Sequence, residues 1–315
     1  MGHYNDVLVI NKLKRRILKL TYLNRVLIGL ALLGLTYTLN YYGAVVWAVL
    51  ILLVSILGFQ EFNHLCNNMG VYPLANWIYF FNTLFILLPL LVVDNYAPNF
   101  VYVYQLGLII AAYAIIFPRI LLKTTYARFE DLTASLWAVF QLGLLPSFFT
   151  WIRMMDNGFL YTLLMILTIS ANDTGSLLFG KLFGKTKLAP QISPGKTVAG
   201  SIGGLLCGGA AFLGFYNLFG FELTEFFWSN KIEFLRWMIP NFNLEVFTAL
   251  VIFSLGVLFS IVAQIGDLLV SALKRAAGVK DSGSILLSHG GVLDRVDSHF
   301  FAVWFAFFIF AYLIQ

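Results

Sequence analysis

The stretch Val246–Ile265, VFTALVIFSLGVLFSIVAQI, runs for twenty residues without a charged side chain. A helix crossing the hydrocarbon core of a bilayer needs about 17 to 25 such residues. The segment therefore has the length and composition of a transmembrane helix, and Gly266 and Asp267 follow it at once. Working outward, the same charge-free pattern recurs at Val26–Leu39, Val45–Phe59 and Val101–Phe117. Hydrophobic residues make up 60% of the 315-residue chain and charged ones only 11%, against roughly a quarter in an ordinary soluble domain. These features predict an all-α, polytopic integral membrane protein with about nine transmembrane helices, near 26–42, 44–59, 77–93, 101–117, 132–148, 157–171, 198–219, 246–265 and 300–314. No repeat, low-complexity tract or soluble module interrupts them. Residues 1–170 are expected to hold the N-terminal spans, and residues 171–315 the C-terminal spans with the polar loops, as one continuous membrane domain.

The charges between spans predict an orientation. Lys12, Lys14, Arg15, Arg16, Lys19 and Arg25 precede the first span, which places the N-terminus in the cytoplasm by the positive-inside rule. Even-numbered spans should then return there. The segments after spans four, six and eight are all basic, carrying Arg119, Lys123 and Arg128, then Lys181, Lys185, Lys187 and Lys196, then Lys274, Arg275, Lys280 and Arg295. Arg153, after span five, runs against the pattern. A basic region followed by one span and directly by another, with no small-residue cleavage site, predicts a retained first helix. The net charge of +5 belongs to these inter-span segments, which argues against nucleic-acid binding. Cys66 and Cys207 stand far apart without a CxxC partner, so neither a disulfide nor a zinc site is expected.

Charge and glycine concentrate in two segments, and chemistry is expected there. The first, residues 172–204, has glycines at 175, 180, 184, 195, 200, 203 and 204 among its four lysines. Glycine lets backbone N–H groups approach an anion, and Ser193, Pro194, Gly195, Lys196 and Thr197 lead into span seven, where a helix N-terminus favours negative charge. A basic loop capped by Ser193 or Thr197 reads equally well. The P-loop pattern is absent, and no strand is expected before this helix. The second segment, residues 264–298, contains four aspartates, Lys274, Arg275, Lys280, Arg295 and His289. On a helix, Asp267, Ser271 and Lys274 would share one face, and so would Asp294 and Asp297. Carboxylates at a membrane boundary need solvent, a partner or a metal, and their hard oxygens suit Mg²⁺. A salt-bridged connector, with Asp267 paired to Lys274 or Arg275 and Asp294 to Arg295, is the plainer reading. His64 beside Glu61, in the loop after span two, reads as a solvated pair before a headgroup contact.

Taken as a unit, Ser271, Leu273, Lys274, Arg275, Lys280, Asp281 and Gly283, then His289, Gly290, Gly291, Asp294, Arg295 and Asp297, resemble the signature of the phosphatidate cytidylyltransferase (CDP-diacylglycerol synthase) family. Gln264, Gly266, Asp267 and Leu268 are similar to the family's lead-in, and Asp173, Gly180, Ser193, Pro194, Lys196 and Thr197 to its upstream polar segment. The chain departs from the family at Ala199, Val270, Leu287 and Ser288, which leaves the acidic and basic positions in place.

The resemblance implies transfer of CMP from CTP to phosphatidate, with release of pyrophosphate, by a multi-pass protein of the bacterial inner membrane whose loops face the cytoplasm. It implies Mg²⁺ held by Asp267 and Asp294, with a second, monovalent cation such as K⁺ as a further expectation. Catalytic roles fall to Asp267, Lys274, Arg275, Asp281 and Asp294. Substrate contacts fall to Asp173, Ser193, Lys196, Thr197, Ser271, Lys280, His289, Gly290, Gly291, Arg295 and Asp297. Family members also pair as homodimers, although no residue here marks an interface. An ether or polyprenyl lipid acceptor keeps the same chemistry. A transporter would instead bury its acids within spans.

Overall fold

The computed structural model describes residues 31, 34–91, 107–114, 129–221, 244–283, 285 and 290–314. Within them, helix α1 (Ala44–Asn68) starts after Gly43, whose φ of 110° no β-carbon favours. It stops at Gly70, where φ is 73° and the Gly70 and Val71 amides close on the carbonyls of Asn67 and Cys66. Helix α2 (Ala75–Leu91) returns alongside. The turn between them is fastened by α3 (Phe129–Val139), since Asp131 Oδ1 accepts from the Tyr72 amide at 2.7 Å and Ser135 Oγ from the Leu74 amide at 2.9 Å.

Helix α3 passes through a π-helical turn, Phe140–Leu144, into α4 (Leu145–Met154), so that Phe129–Met154 is one continuous rod. A π-turn disturbs the regular carbonyl ladder. Here the Leu142 carbonyl accepts from Ser55 Oγ on α1, and Gly143 lets Asn82 of α2 press against the bulge. Arg153, the charge that ran against the orientation pattern, donates through Nε to the Asn40 carbonyl at 2.9 Å. It has a tertiary partner.

Helix α5 (Gly158–Phe183) leads into a two-stranded antiparallel hairpin, β1 (Lys187–Ala189) and β2 (Ser193–Thr197), with Lys187 opposite Thr197 and Ala189 opposite Ser193. Helices α6 (Val198–Phe219), α7 (Leu244–Ala276) and α8 (Leu293–Tyr312) follow. The hairpin corrects the expectation that no strand precedes α6. Thr197 ends the strand and caps the helix, its Oγ1 accepting from the Gly200 amide at 3.1 Å.

Among the described residues, five helices are long and apolar enough to cross a membrane: Ala44–Asn68, Phe129–Met154, Gly158–Phe183, Val198–Phe219 and Glu245–Ala276. The chain is thus a helical membrane protein. Seven of the expected spans coincide with described helices, while those at 26–42 and 101–117 are described only in part, as helix at 31, 34–41 and 107–114.

Two kinds of packing hold the helices together. Around α1, α2, α4 and α8 the contacts are aromatic, with Trp47, Phe59, Phe81, Phe149 and Phe300 buried and Phe62 stacked on Trp137 at 4.8 Å. Around α5, α6 and α7 they are close approaches of backbone. A β-carbon at Gly204 would strike Ser176 and Asn172 of α5, one at Gly208 would strike Ser260 of α7, and one at Gly209 would meet Val257 at 2.8 Å. Lipid tails are as apolar as leucine, so helices in a bilayer associate through such small-residue packing. This corrects the anion-loop reading of most glycines in 172–204. Gly175 and Gly180 lie in α5, and Gly200, Gly203 and Gly204 in α6, where they seat helix on helix.

Candidate active site

Four elements bring charge to one place: α5 carries Asp173, β2 carries Lys196, α7 carries Asp267, Ser271 and Lys274, and α8 carries Asp294, Arg295 and Asp297. The i, i+4 spacing on α7 works as expected, with Ser271 Oγ donating to Asp267 Oδ1 at 3.3 Å. The second oxygen of Asp267 meets Lys196 Nζ at 2.5 Å across the interface between α7 and the hairpin. The last turn of α7 sends Lys274 Nζ to Asp294 Oδ1, also at 2.5 Å. The paired-connector reading therefore had the principle right and the partners wrong: Asp267 pairs with Lys196, and Asp294 with Lys274.

The surroundings of the two pairs differ. Asp294 Oδ2 also accepts from the amides of Ser282 at 2.9 Å and Gly291 at 3.0 Å. Asp294 lies in the first turn of α8, ahead of the apolar run 300–314. Burial pushes its carboxyl up, but the Lys274 ammonium and the two amides outweigh burial and hold it below the ordinary carboxylate range. Gly290 and Gly291 follow from this arrangement. Gly290 has a φ of 81°, and a β-carbon there would stand 2.7 Å from Asp294 Oδ2. One at Gly291 would strike Ser282 Oγ and the Glu61 carboxylate.

Asp173, Asp267, Asp294, Arg295 and Asp297 line a cavity of about 680 Å³. Its lining is also apolar, with Leu50, Ile51 and Val54 of α1 together with Phe149 and Ile166. A side-chain network positions Asp173. Gln264 Nε2 donates to Asn172 Oδ1 at 2.8 Å, Ser201 Oγ donates to Gln264 Oε1 at 2.5 Å, and Asn172 Nδ2 donates to Asp173 Oδ1 at 3.1 Å. Helices α5, α6 and α7 are thereby locked in register beneath Asp173.

None of the other expected residues that are described lines this cavity. Arg275 donates from Nε to the Ile192 carbonyl at 3.0 Å and from Nη1 to the Val279 carbonyl at 2.9 Å, so it pins the hairpin to the end of α7. Lys280 and Asp281 are exposed on the turn after α7, and Ser193 begins β2 without lining the cavity. His289, Leu287 and Ser288 lie outside the described residues. Sequence reasoning missed Glu61. The expected solvated pair with His64 is not formed: Glu61 is only 5% exposed and turns inward, accepting from Ser282 Oγ at 2.8 Å, the Val292 amide at 2.9 Å and the Leu293 amide at 2.8 Å. Its signal was the one carboxylate of α1, a helix with no Lys, Arg or second acid to pair it, so that it requires a partner elsewhere.

Among the described residues no three acidic, histidine or cysteine side chains stand close enough to form a ready-made cation site. The donor set nevertheless fits a hard divalent ion, because several aspartates open on one cavity and offer only oxygen. A carboxylate has about four lone-pair positions, so even Asp294 with three donors keeps one open.

A cavity lined by both charged and apolar side chains, inside a helical membrane protein, defines a membrane enzyme that handles a polar group beside a hydrophobic one. The chain belongs to the Cytidylyltransferase family, whose sequence pattern matches residues 23–313. It is 34% identical over 214 residues to a protein of Staphylococcus aureus (strain COL) named phosphatidate cytidylyltransferase, covering 68% of this chain and 72% of the relative. A protein of the same name from Staphylococcus haemolyticus (strain JCSC1435) is 35% identical over 199 residues, covering 63% of this chain and 66% of the relative.

Proposed function

We propose that this enzyme transfers CMP from CTP to phosphatidate, giving CDP-diacylglycerol and pyrophosphate, at the cytoplasmic face of a bacterial inner membrane. The observation that carries this reading is the cavity itself, whose lining combines charged side chains with apolar ones. Nucleotide chemistry needs the first and a diacyl lipid the second. The names of the staphylococcal relatives support the same acceptor.

The reaction requires a phosphate oxygen of phosphatidate to attack the α-phosphorus of CTP. A new P–O bond forms there, the bond to the bridging oxygen of the β-phosphate breaks, and pyrophosphate leaves with the electron pair. A phosphate monoester has a second pKa near about 6, so the nucleophile is largely dianionic at neutral pH and needs no general base. The task is to hold two anions together and stabilise the charge that moves between them. Lys196, Lys274 and Arg295 supply positive charge, and the two lysines pair with Asp267 and Asp294. Asp267 and Asp294 would hold Mg²⁺, which would neutralise phosphate charge as a Lewis acid. Asp173 and Asp297 stand in the same cavity as auxiliary carboxylates. Thr197 serves by capping α6, which sets the position of Lys196 one residue before it.

The test is incorporation of labelled CMP into lipid by the purified protein in detergent, with phosphatidate or a polyprenyl phosphate as acceptor and Mg²⁺ added or chelated. Metal-dependent product with phosphatidate is the expected result. Product with the polyprenyl phosphate alone would replace the acceptor, and no nucleotide in lipid under any condition would overturn the reading.

A further inference from the structure

Helix α8 carries Asp294, Arg295 and Asp297 in its first turns, yet its N-cap residue, Val292, offers no side-chain cap. The first amides of a helix are left without intrahelical partners and must find them elsewhere. Two of them, Val292 and Leu293, donate to Glu61, which lies 231 residues away from Val292 in sequence on α1. A carboxylate is the favoured partner at that end, where the helix dipole is positive. The same carboxylate accepts from Ser282 Oγ, while the Ser282 amide donates to Asp294. Gly283 and Gly291 both lie against it, and a β-carbon at Gly283 would come within 2.8 Å of its carboxyl carbon.

We infer that Glu61 is a positioning residue of the active centre: it fastens the start of α8 and the turn around Ser282 to α1, and thereby fixes Asp294 against Lys274. The inference rests on the proposed function only for its kinetic consequence. Glu61 lies outside the lining of the cavity, and its hydrogen-bond partner Val292 lines it. Its carboxylate accepts three donors through two oxygens. A glutamine of nearly the same volume turns one of those oxygens into a donor. The Ser282 hydroxyl can reverse to accept from it, but one helix amide is left facing an N–H group. Shape is conserved and the cap is lost.

Three variants test this, assayed for CMP transfer alongside hydrogen exchange of the backbone amides. Glu61→Gln should lower kcat by about tenfold or more with a smaller change in the KM for CTP, because Asp173, Lys196 and Asp267 sit on other elements. In the same protein, amides of 282 and 291–294 should exchange at least about tenfold faster, while α5 and α6 stay as protected as in the parent. Glu61→Asp keeps the charge and should recover part of both effects. His64→Ala, one turn along the same helix and exposed, should change neither. Unchanged exchange at 291–294 in Glu61→Gln would overturn the capping role, and unchanged kcat with faster exchange would overturn the kinetic one. If Glu61→Gln does not fold, the Asp variant decides by the same two readouts. Should the parent transfer no CMP to phosphatidate, the proposed function fails, and the exchange measurement still decides whether Glu61 holds α8.

Discussion

The two ion pairs of the site differ in how firmly they are built. Lys196 and Asp267 meet with side chains 27% and 33% exposed, whereas Lys274 and Asp294 meet with 11% and 8%. Asp267 has Ser271 as its other donor, at the long distance of 3.3 Å. Asp294 has two backbone amides, and behind them Glu61 holds the same turn from α1. An accessible pair contributes little and exchanges partners readily. A buried one is costly to break, because the survivor is left charged without water. On the proposed mechanism the Lys196 and Asp267 side would open to receive phosphate or metal, and the Lys274 and Asp294 side would be the frame against which it works.

This contrast can be broken most severely at Asp294. Asp294→Asn should lower the stability of the detergent-solubilised protein by about 3–5 kcal/mol, read as thermal or denaturant unfolding, and should abolish transfer as well. An equal loss of activity with unchanged stability would mean that Asp294 is no part of the frame. A smaller effect is expected where backbone meets backbone. Gly204→Ala puts a methyl group against Ser176 and Asn172 and should cost about 1–3 kcal/mol. It should also lower activity through the Gln264 network that sets Asp173. Asp267→Asn should change stability by less than about 1 kcal/mol while transfer falls steeply and the response to Mg²⁺ weakens. A stable, fully active Asp267→Asn protein would remove it from the mechanism.

The pH dependence of stability follows from the depressed Asp294 carboxyl. A carboxyl whose folded pKa lies below its unfolded value binds fewer protons in the native state, so its contribution is complete above the unfolded value of roughly 4. It is lost as pH falls further through the folded value. Unfolding midpoints measured below pH 4 should decline less steeply in Asp294→Asn than in the parent, and identical slopes would contradict that assignment.

Much of this was legible in the chain. Long charge-free runs gave α1, α5, α6 and α7, because a bilayer imposes length and composition on anything that crosses it. The spacing of Asp267, Ser271 and Lys274 gave a face of α7, and that of Asp294 and Asp297 a face of α8. Four things were not legible, each for a physical reason. Which lysine meets which aspartate depends on how helices are placed in space, and spacing within one helix says nothing of it. The hairpin was hidden because strands of three and five residues leave no periodic trace. Glycines 200, 203 and 204 looked like an anion-binding loop because a residue without a side chain serves equally for ligand approach and for helix packing, and only the facing Ser176 and Phe179 reveal which. Glu61 was visible as an isolated carboxylate, but its partners lie more than two hundred residues away.

The most direct test of the account follows the two ends of the nucleotide. The purified protein is given phosphatidate, Mg²⁺ and CTP labelled either at the α-phosphorus or at the γ-phosphorus, and label is counted in the lipid and aqueous phases. Cytidylyl transfer predicts α-label in the lipid and γ-label in soluble pyrophosphate. Label reaching lipid from the γ-position, or from neither, would contradict it.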